Sequence, residues 1–144
     1  MRRIYLDHNA TTPVHPEVAD EVCRCLKEAF GNAGTLYSYG REAKKLVDDA
    51  REMIASVIGA KREEILFTSG GTEADNMAVR GGAYGNLNKG RHLITSTIEH
   101  HAILETCKAL EKEGFEVTYL PVDEYGTIKL NTLKDAIRSD TTLI

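Results

Sequence analysis

The segment Phe67-Thr-Ser-Gly-Gly-Thr-Glu-Ala-Asp-Asn76 carries the strongest structural signal in this chain. The apolar run 65–67 predicts a strand, Gly70 and Gly71 predict a turn, and Thr72 opens a helical segment. Backbone N–H groups at a helix start have no partner within the helix, and the helix dipole adds positive potential there. Glycine has no Cβ and so lets an anion approach the backbone closely, and a threonine adds a hydroxyl donor. The segment therefore predicts a pocket for an anion, usually a phosphate.

A second interpretation of the same segment is a tight turn in which Thr72 caps the following helix. The residues of this segment alone leave both interpretations open. Neither Gly-x-x-x-x-Gly-Lys-Ser/Thr nor Gly-x-Gly-x-x-Gly is present in the sequence. We therefore expect a phosphate bound here to belong to a molecule other than ATP or NAD.

Length and composition are typical of one soluble globular domain, since the chain has 144 residues with 42% apolar and 28% charged side chains. The net charge of −4, with both signs interspersed, argues against a nucleic-acid surface or an anionic membrane as partner. No long uncharged apolar run predicts a transmembrane helix, and the basic start of the chain has no following apolar stretch of a secretory signal.

Three cysteines, an odd and sparse number, indicate a reducing compartment without a disulfide framework, and cytoplasm is the expected location. Cys25 falls on the apolar stripe of a predicted helix and Cys107 lies within a later one. Buried packing is the favoured interpretation for both, because nothing nearby marks an activated thiol. The role of Cys23 is left open.

Hydrophobic periodicity predicts alternating helices and strands. The predicted helices cover residues 17–30, 40–58, 72–83, 100–113 and 131–138. The predicted strands cover residues 4–6, 64–68, 92–97, 116–121 and 141–144. Gly59 is expected to end the second helix. This alternation predicts an α/β fold with a mostly parallel sheet flanked by helices.

Glu99-His100-His101 forms a second cluster of chemically active side chains. Ligands of parallel sheets gather at the carboxyl ends of the strands, where both this cluster and Ser69–Thr72 are predicted to lie. Adjacent helical residues point about 100° apart, so we expect one histidine to face a pocket. His101 is interpreted as a surface or packing residue, and the alternative for His100 is a helix-start histidine whose position disfavours the imidazolium. No metal site is predicted, because no carboxylate or cysteine pattern completes a coordination shell.

Taken together, the motifs resemble the cysteine desulfurases within the class-V aminotransferase family. The matching segments, in chain order, are Tyr5–Pro13, Gly31–Arg41, Phe67–Asn76, Glu99–Ala102 and Pro121–Gly126. The chain departs from the family pattern at His8, where Asn is usual, and at Ala33, Gly34 and Tyr37, where Pro, Ser and His are usual. Several motifs in the right order make the resemblance specific.

The resemblance implies the cofactor pyridoxal phosphate. Gly71 and Thr72 would hold its phosphate, and the catalytic His100 would lie against the pyridine ring and assist proton transfers. Asn9 and Ala10 would lie near the substrate entrance. Residues 1–14 would form an N-terminal segment, and residues 15–144 the first, incomplete part of the large domain of a fold-type-I enzyme.

The implied reaction removes sulfur from L-cysteine to give alanine and a persulfide on a catalytic cysteine. The sulfur would pass to an iron–sulfur scaffold or another acceptor protein, and the enzyme would be a homodimer. The sequence reaches Ile144 before the family's Schiff-base lysine, the carboxylate that pairs with the pyridine nitrogen, and the persulfide cysteine. We expect these 144 residues alone to be inactive and to expose a sheet edge and apolar faces.

Two other functions fit the same residues. One is another class-V pyridoxal-phosphate enzyme of the selenocysteine lyase type. The other is a non-catalytic fragment that serves in binding or dimerisation, which the missing lysine favours if 144 residues is the native length.

Overall fold

A computed structural model describes residues 3–144 of the chain. The chain divides into two compact units, Met1–Leu66 and Phe67–Ile144, which are described separately below.

Two helices dominate the first unit: α1 (Pro16–Glu28) and α2 (Ser38–Ile58), followed by a 3₁₀ turn at Arg62–Glu64. Pro16 begins α1, where its fixed φ suits the helix and its missing N–H costs no hydrogen bond. Gly59 ends α2 in the left-handed conformation, with φ of 70°, as its position predicted. Both predicted helices are confirmed to within two residues at each end.

A tight loop between these helices requires glycine at position 40. Asn32 folds the loop by accepting hydrogen bonds from Thr35 N (3.0 Å) and Gly34 N (2.8 Å). A Cβ at Gly40 would lie 2.5 Å from the carbonyl oxygen of Thr35 and 2.7 Å from that of Asn32. Because these are backbone atoms, the loop can close against α2 only if this position has no side chain.

The second unit is an α/β layer built on a parallel three-stranded sheet with strand order β2-β1-β3. Its elements are α3 (Gly71–Gly85), β1 (His92–Ser96), α4 (His101–Lys112), β2 (Glu116–Leu120), α5 (Leu130–Ala136) and β3 (Thr141–Leu143). In the register, Leu93 of β1 lies opposite Val117 of β2. The predicted parallel sheet flanked by helices is therefore confirmed.

Apolar side chains of α3, β1 and α4 form the core of this unit. The buried cluster consists of Val79, Ala83, Leu93, Cys107, Leu110 and Phe115. Burial raises the pKa of the Cys107 thiol, and the nearby carboxylates of Glu111 and Glu99 raise it further. Cys107 is thus a packing residue, as the sequence indicated.

His92 lies at the centre of the sheet with none of its surface exposed. Its Nδ1 lies 2.7 Å from Oγ1 of Thr141 on β3, and its Nε2 lies 2.8 Å from Oγ1 of Thr118 on β2. One imidazole therefore joins all three strands. Desolvation lowers the pKa of His92 and the Arg138 cation adds to this effect, whereas Asp140 and Glu116 oppose it.

The predicted strands 4–6 and 64–68 are wrong. Ile65 has extended backbone angles, with φ of −99° and ψ of 123°, but the sheet of the described residues consists of β1, β2 and β3. Local sequence predicts an extended backbone, whereas a strand also requires a neighbour that completes the hydrogen-bond ladder. Ser69 and Gly70 thus follow an extended loop and not a strand.

Many large apolar side chains are exposed, in agreement with the expectation of exposed apolar faces. Helix α1 has no buried residue, and Cys25 is only partly buried, so the packing interpretation fails for this cysteine. Its Sγ lies 3.7 Å from a carboxylate oxygen of Glu21. Within residues 3–144, no helix combines the length and apolar character needed to cross a bilayer.

Candidate functional site

The start of α3 presents unpaired backbone donors to an open space. The first hydrogen bond of the helix runs from Ala74 N to Gly70 O (3.1 Å), so the N–H groups of residues 71–73 have no partner within the helix. A Cβ built on Gly70 or Gly71 would meet no atom within 4 Å. This opening can admit an anion to the backbone, and the helix dipole favours negative charge there.

Thr72 is not the helix cap. The N-cap position belongs to Gly70 and no side chain caps it, so Thr72 is the second residue of α3. The capping interpretation drawn from the sequence is wrong, because Gly70 takes the non-helical position and Gly71 already has helical angles. The hydroxyl of Thr72 remains available as a hydrogen-bond donor.

Glu73 fixes the loop that leads into α3, a role the sequence analysis missed. Its Oε2 accepts hydrogen bonds from the backbone N–H (2.6 Å) and the hydroxyl (2.7 Å) of Ser69. The backbone bond and then the hydroxyl bond lower the pKa of this carboxyl. A serine followed by a glutamate across a helix start, as in a capping box, is the signal that could have identified the pair.

His100 is the N-cap of α4. Its Nδ1 accepts a hydrogen bond from Ala102 N (3.1 Å), which confirms the expected helix-start position. Because Nδ1 accepts, the neutral ring carries its proton on Nε2. The exposed ring therefore offers an N–H donor while its other nitrogen is held by the helix.

Thr72 and His100 line the same pocket, of about 380 Å³, between α3 and α4. Gly71 directly precedes Thr72 on α3. His101 also lines this pocket and its ring centroid lies 6.3 Å from that of His100, so the expectation that only one histidine faces the pocket is wrong. His100 is the N-cap and His101 is the first residue of α4. Because His100 does not have helical backbone angles, the rotation of about 100° between successive helical residues does not apply to this pair.

A partly buried hydrogen bond ties the two helices together in the lining of this pocket. Asn76 Nδ2 donates to the carbonyl oxygen of Thr72 (2.9 Å), and Asn76 Oδ1 lies 2.7 Å from the hydroxyl of Thr106 on α4. That hydroxyl also lies 2.8 Å from the carbonyl oxygen of Ala102. Sequence reasoning missed these residues, because their separation along the chain gives no local signal.

Asn9 and Ala10 lie in an exposed turn of the first unit. The turn is closed by a hydrogen bond from Ala10 N to Asp7 O (3.2 Å). Their substrate-side role stays a prediction. In the described part of the chain, no three or more His, Cys, Asp or Glu side chains are placed to bind a metal ion.

The chain was compared with known protein families. Residues 4–144 match the profile of the family described as aminotransferase class-V. The chain belongs to the class-V aminotransferase family. Members of this family depend in general on pyridoxal phosphate.

Curated members of the family include similar proteins that are named cysteine desulfurase IscS. The protein of that name from Dictyoglomus turgidum is 53% identical over 143 residues, which are 99% of this chain and 36% of the relative. The one from Methanosarcina thermophila is 50% identical and is covered over 35% of its length. The chain therefore spans little more than a third of the length of these relatives.

Solved structures show the same fold. A structure described as a NifS-like protein has a TM-score of 0.89 at 40% identity, over 97% of this chain and 38% of that one. A structure of SspA in complex with cysteine has a TM-score of 0.84 at 39% identity, over 95% of this chain and 40% of that one. The fold is that of the first part of a fold-type-I pyridoxal-phosphate enzyme.

Proposed function

We propose that the pocket between α3 and α4 holds the phosphate and ring of pyridoxal phosphate in a cysteine desulfurase. The observation that supports this most strongly is that Thr72 and His100 line one pocket at the open N-terminus of α3. The two helices that line it offer the two kinds of contact that the cofactor needs. Unpaired N–H groups and a hydroxyl suit the phosphate, and an imidazole suits the aromatic ring.

The residues of this chain fit the phosphate group. The space in front of Gly70 and Gly71 is open to the backbone, and Glu73 is held back by Ser69. In the proposal, the N–H groups of Gly71 and Thr72 and the hydroxyl of Thr72 donate to the phosphate. These contacts orient the cofactor and exclude water from its phosphate.

His100 is proposed to lie against the ring and to hold or move a proton at Nε2. Its Nδ1 is occupied by the N–H of Ala102, so Nε2 is the nitrogen left for exchange with the substrate. The cofactor, when bound, supplies the electron sink for bond cleavage in the amino-acid substrate. The helix cap keeps the imidazole in a single tautomer and orientation.

L-Cysteine is the proposed substrate, and the names of the relatives support it. The reaction breaks the carbon–sulfur bond of L-cysteine, and the sulfur atom moves to an enzyme thiol to give alanine and a persulfide. We propose that this thiol belongs to a residue other than Cys23, Cys25 and Cys107. Asn9 and Ala10 are proposed to lie near the substrate entrance.

The persulfide sulfur is proposed to pass to an iron–sulfur scaffold or another acceptor protein. A cytoplasmic homodimer is the proposed form of the full-length enzyme. Both proposals rest on the family resemblance and on the relatives named IscS.

Alanine production tests the proposed function. The purified full-length protein, supplied with pyridoxal phosphate, is incubated with L-cysteine and dithiothreitol, and alanine and sulfide are measured. We expect equal amounts of the two products. Production of neither, by a protein that binds pyridoxal phosphate, would contradict the desulfurase assignment. Turnover of selenocysteine alone would favour the selenocysteine lyase type.

A further inference from the structure

A continuous series of contacts runs from Thr72 to His100 through residues that also line the pocket. Asn76 Nδ2 donates to Thr72 O, Asn76 Oδ1 meets the hydroxyl of Thr106, and that hydroxyl reaches Ala102 O. The N–H of Ala102 then caps the helix through His100 Nδ1. Each donor–acceptor distance in the series is 3.1 Å or shorter, and the series joins the two helices that line the pocket.

The step that crosses between the helices is the contact of Asn76 with Thr106. The threonine is 3% exposed, so water does not compete strongly for its hydroxyl. Its single proton is shared between Asn76 Oδ1 and Ala102 O, at 2.7 and 2.8 Å. Thr106 thus lies six residues beyond the cap of α4, and its hydroxyl meets α3 at Asn76, about one turn beyond Thr72.

We infer that Asn76 and Thr106 are positioning residues that set the spacing between Thr72 and His100. This inference rests on the proposed cofactor site. Pyridoxal phosphate is rigid between its phosphate and its ring, so it binds well only where both contacts stand at the matching separation. Neither Asn76 nor Thr106 is proposed to react with the cofactor.

The packing of the two helices does not depend on this hydrogen bond alone. Further along α3, Arg80 donates to Glu113 (3.2 Å), and Tyr84, near the end of the helix, donates to the same carboxylate. The apolar cluster around Leu110 also lies between the helices. Removing the Asn76 amide should therefore change the local spacing and leave the fold in place.

Asn86 provides a matched control. Its Nδ2 donates to Gly82 O (2.8 Å), the same bond to the carbonyl four residues earlier that Asn76 makes to Thr72. It lies at the far end of α3 from the pocket. Asn86→Ala removes this common helical bond without touching the contact between α3 and α4.

The test compares pyridoxal phosphate with inorganic phosphate by equilibrium dialysis of the full-length protein. The first ligand needs contacts from both α3 and α4, and the second needs only the start of α3. We expect Asn76→Ala and Thr106→Val to weaken the binding of pyridoxal phosphate by about two- to tenfold, the usual range for the loss of one hydrogen bond. Inorganic phosphate should bind as to the wild type. Thr106→Ser, which keeps the hydroxyl, and Asn86→Ala should leave both affinities unchanged.

A double variant separates positioning from general destabilisation. If Asn76 acts by setting the spacing to His100, the double variant Asn76→Ala/His100→Asn should bind pyridoxal phosphate as tightly as the single variant His100→Asn. The circular dichroism of the bound cofactor should also change in Asn76→Ala. Additive losses, equal losses for both ligands, or unchanged affinity in Asn76→Ala would each overturn the inference while leaving the proposed site intact. A wild-type protein that binds no pyridoxal phosphate would overturn both.

Discussion

Thr72 combines a backbone donor and a hydroxyl donor at the start of α3, which makes it the most direct test of the phosphate contact. We expect Thr72→Ala to weaken the binding of pyridoxal phosphate roughly ten- to hundredfold, because a hydrogen bond to a charged group contributes about 1.5–3 kcal/mol. Thr72→Ser keeps the hydroxyl and should bind like the wild type. Equilibrium dialysis measures the dissociation constants, and equal affinity for the Ala and Ser variants would remove the Thr72 hydroxyl from the site.

His100 has two roles that can be separated by substitution. Asn is a good N-cap, so His100→Asn should keep α4 intact while it removes the imidazole. We expect turnover of L-cysteine to fall by about a hundredfold or more in this variant, the usual effect of losing a general acid or base. His100→Ala should lose the cap as well, at a further cost of about 1 kcal/mol in unfolding free energy.

His101 is the control for His100, because both histidines line the pocket. His101→Ala should retain most of the turnover of L-cysteine. Equal losses of turnover at the two positions would show that the catalytic role was assigned to the wrong histidine. Turnover rates and thermal melting of the three variants are measured side by side.

At the level of elements, the helices could be predicted from the sequence to within two residues because their signals are local. Apolar spacing, Pro16 and Gly59 mark the first two helices without any knowledge of the rest of the fold. The strand predicted over residues 64–68 is wrong, because a β-strand forms only where a neighbouring strand completes its backbone hydrogen bonds. The contact of Asn76 with Thr106 joins residues 30 positions apart, so no local pattern reveals it.

The sheet should respond to pH through His92. Its folded pKa is lowered, so the unfolded chain binds the proton more readily and stability is lost as pH falls below 6.5. The loss should level off once the pH is below the folded pKa. Arg138, Asp140 and Glu116 are the charged groups that act on the ring, and the hydrogen bond from Arg138 lowers the pKa of Asp140.

Urea unfolding of the wild type and of His92→Gln between pH 5 and 8 tests this account. The unfolding free energy of the wild type should fall towards pH 5, and the Gln variant should lack that part of the change. A difference between the two proteins that stays constant across this range would contradict the role of His92.

The loop before α2 should be sensitive to any side chain at position 40. A Cβ at Gly40 would press on backbone atoms of Thr35 and Asn32, so Gly40→Ala should lower the unfolding free energy by about 1–3 kcal/mol. Gly81 lies inside α3 with open space around it, and Gly81→Ala should be neutral or stabilising by up to about 1 kcal/mol. Chemical denaturation compares the two, and a neutral Gly40→Ala would show that the loop can rearrange.

For the whole molecule, the proposal places the persulfide outside the three cysteines of this segment. Cys107 is buried with a raised pKa, so its thiol is a poor nucleophile. We expect Cys23→Ser and Cys25→Ser to leave persulfide formation by the full-length protein unchanged, as seen by mass spectrometry after treatment with L-cysteine. Cys107→Ser should lower stability and still form the persulfide. Loss of the persulfide in any of the three would assign the nucleophile to that residue.

The family and the fold could be recognised from ordered motifs that extend over most of the chain, and the match over residues 4–144 confirms them. The arrangement of the pocket could be predicted only in part. Gly71, Thr72 and His100 stood out as helix-start residues, whereas Asn76, Thr106 and His92 act through contacts that exist only after folding.

A crystal structure of the full-length protein grown with pyridoxal phosphate tests the central claim most directly. The account predicts that the phosphate accepts hydrogen bonds from Gly71, Thr72 and the hydroxyl of Thr72, and that the ring lies against His100. A phosphate bound away from the start of α3, or a ring out of contact with His100, would contradict it.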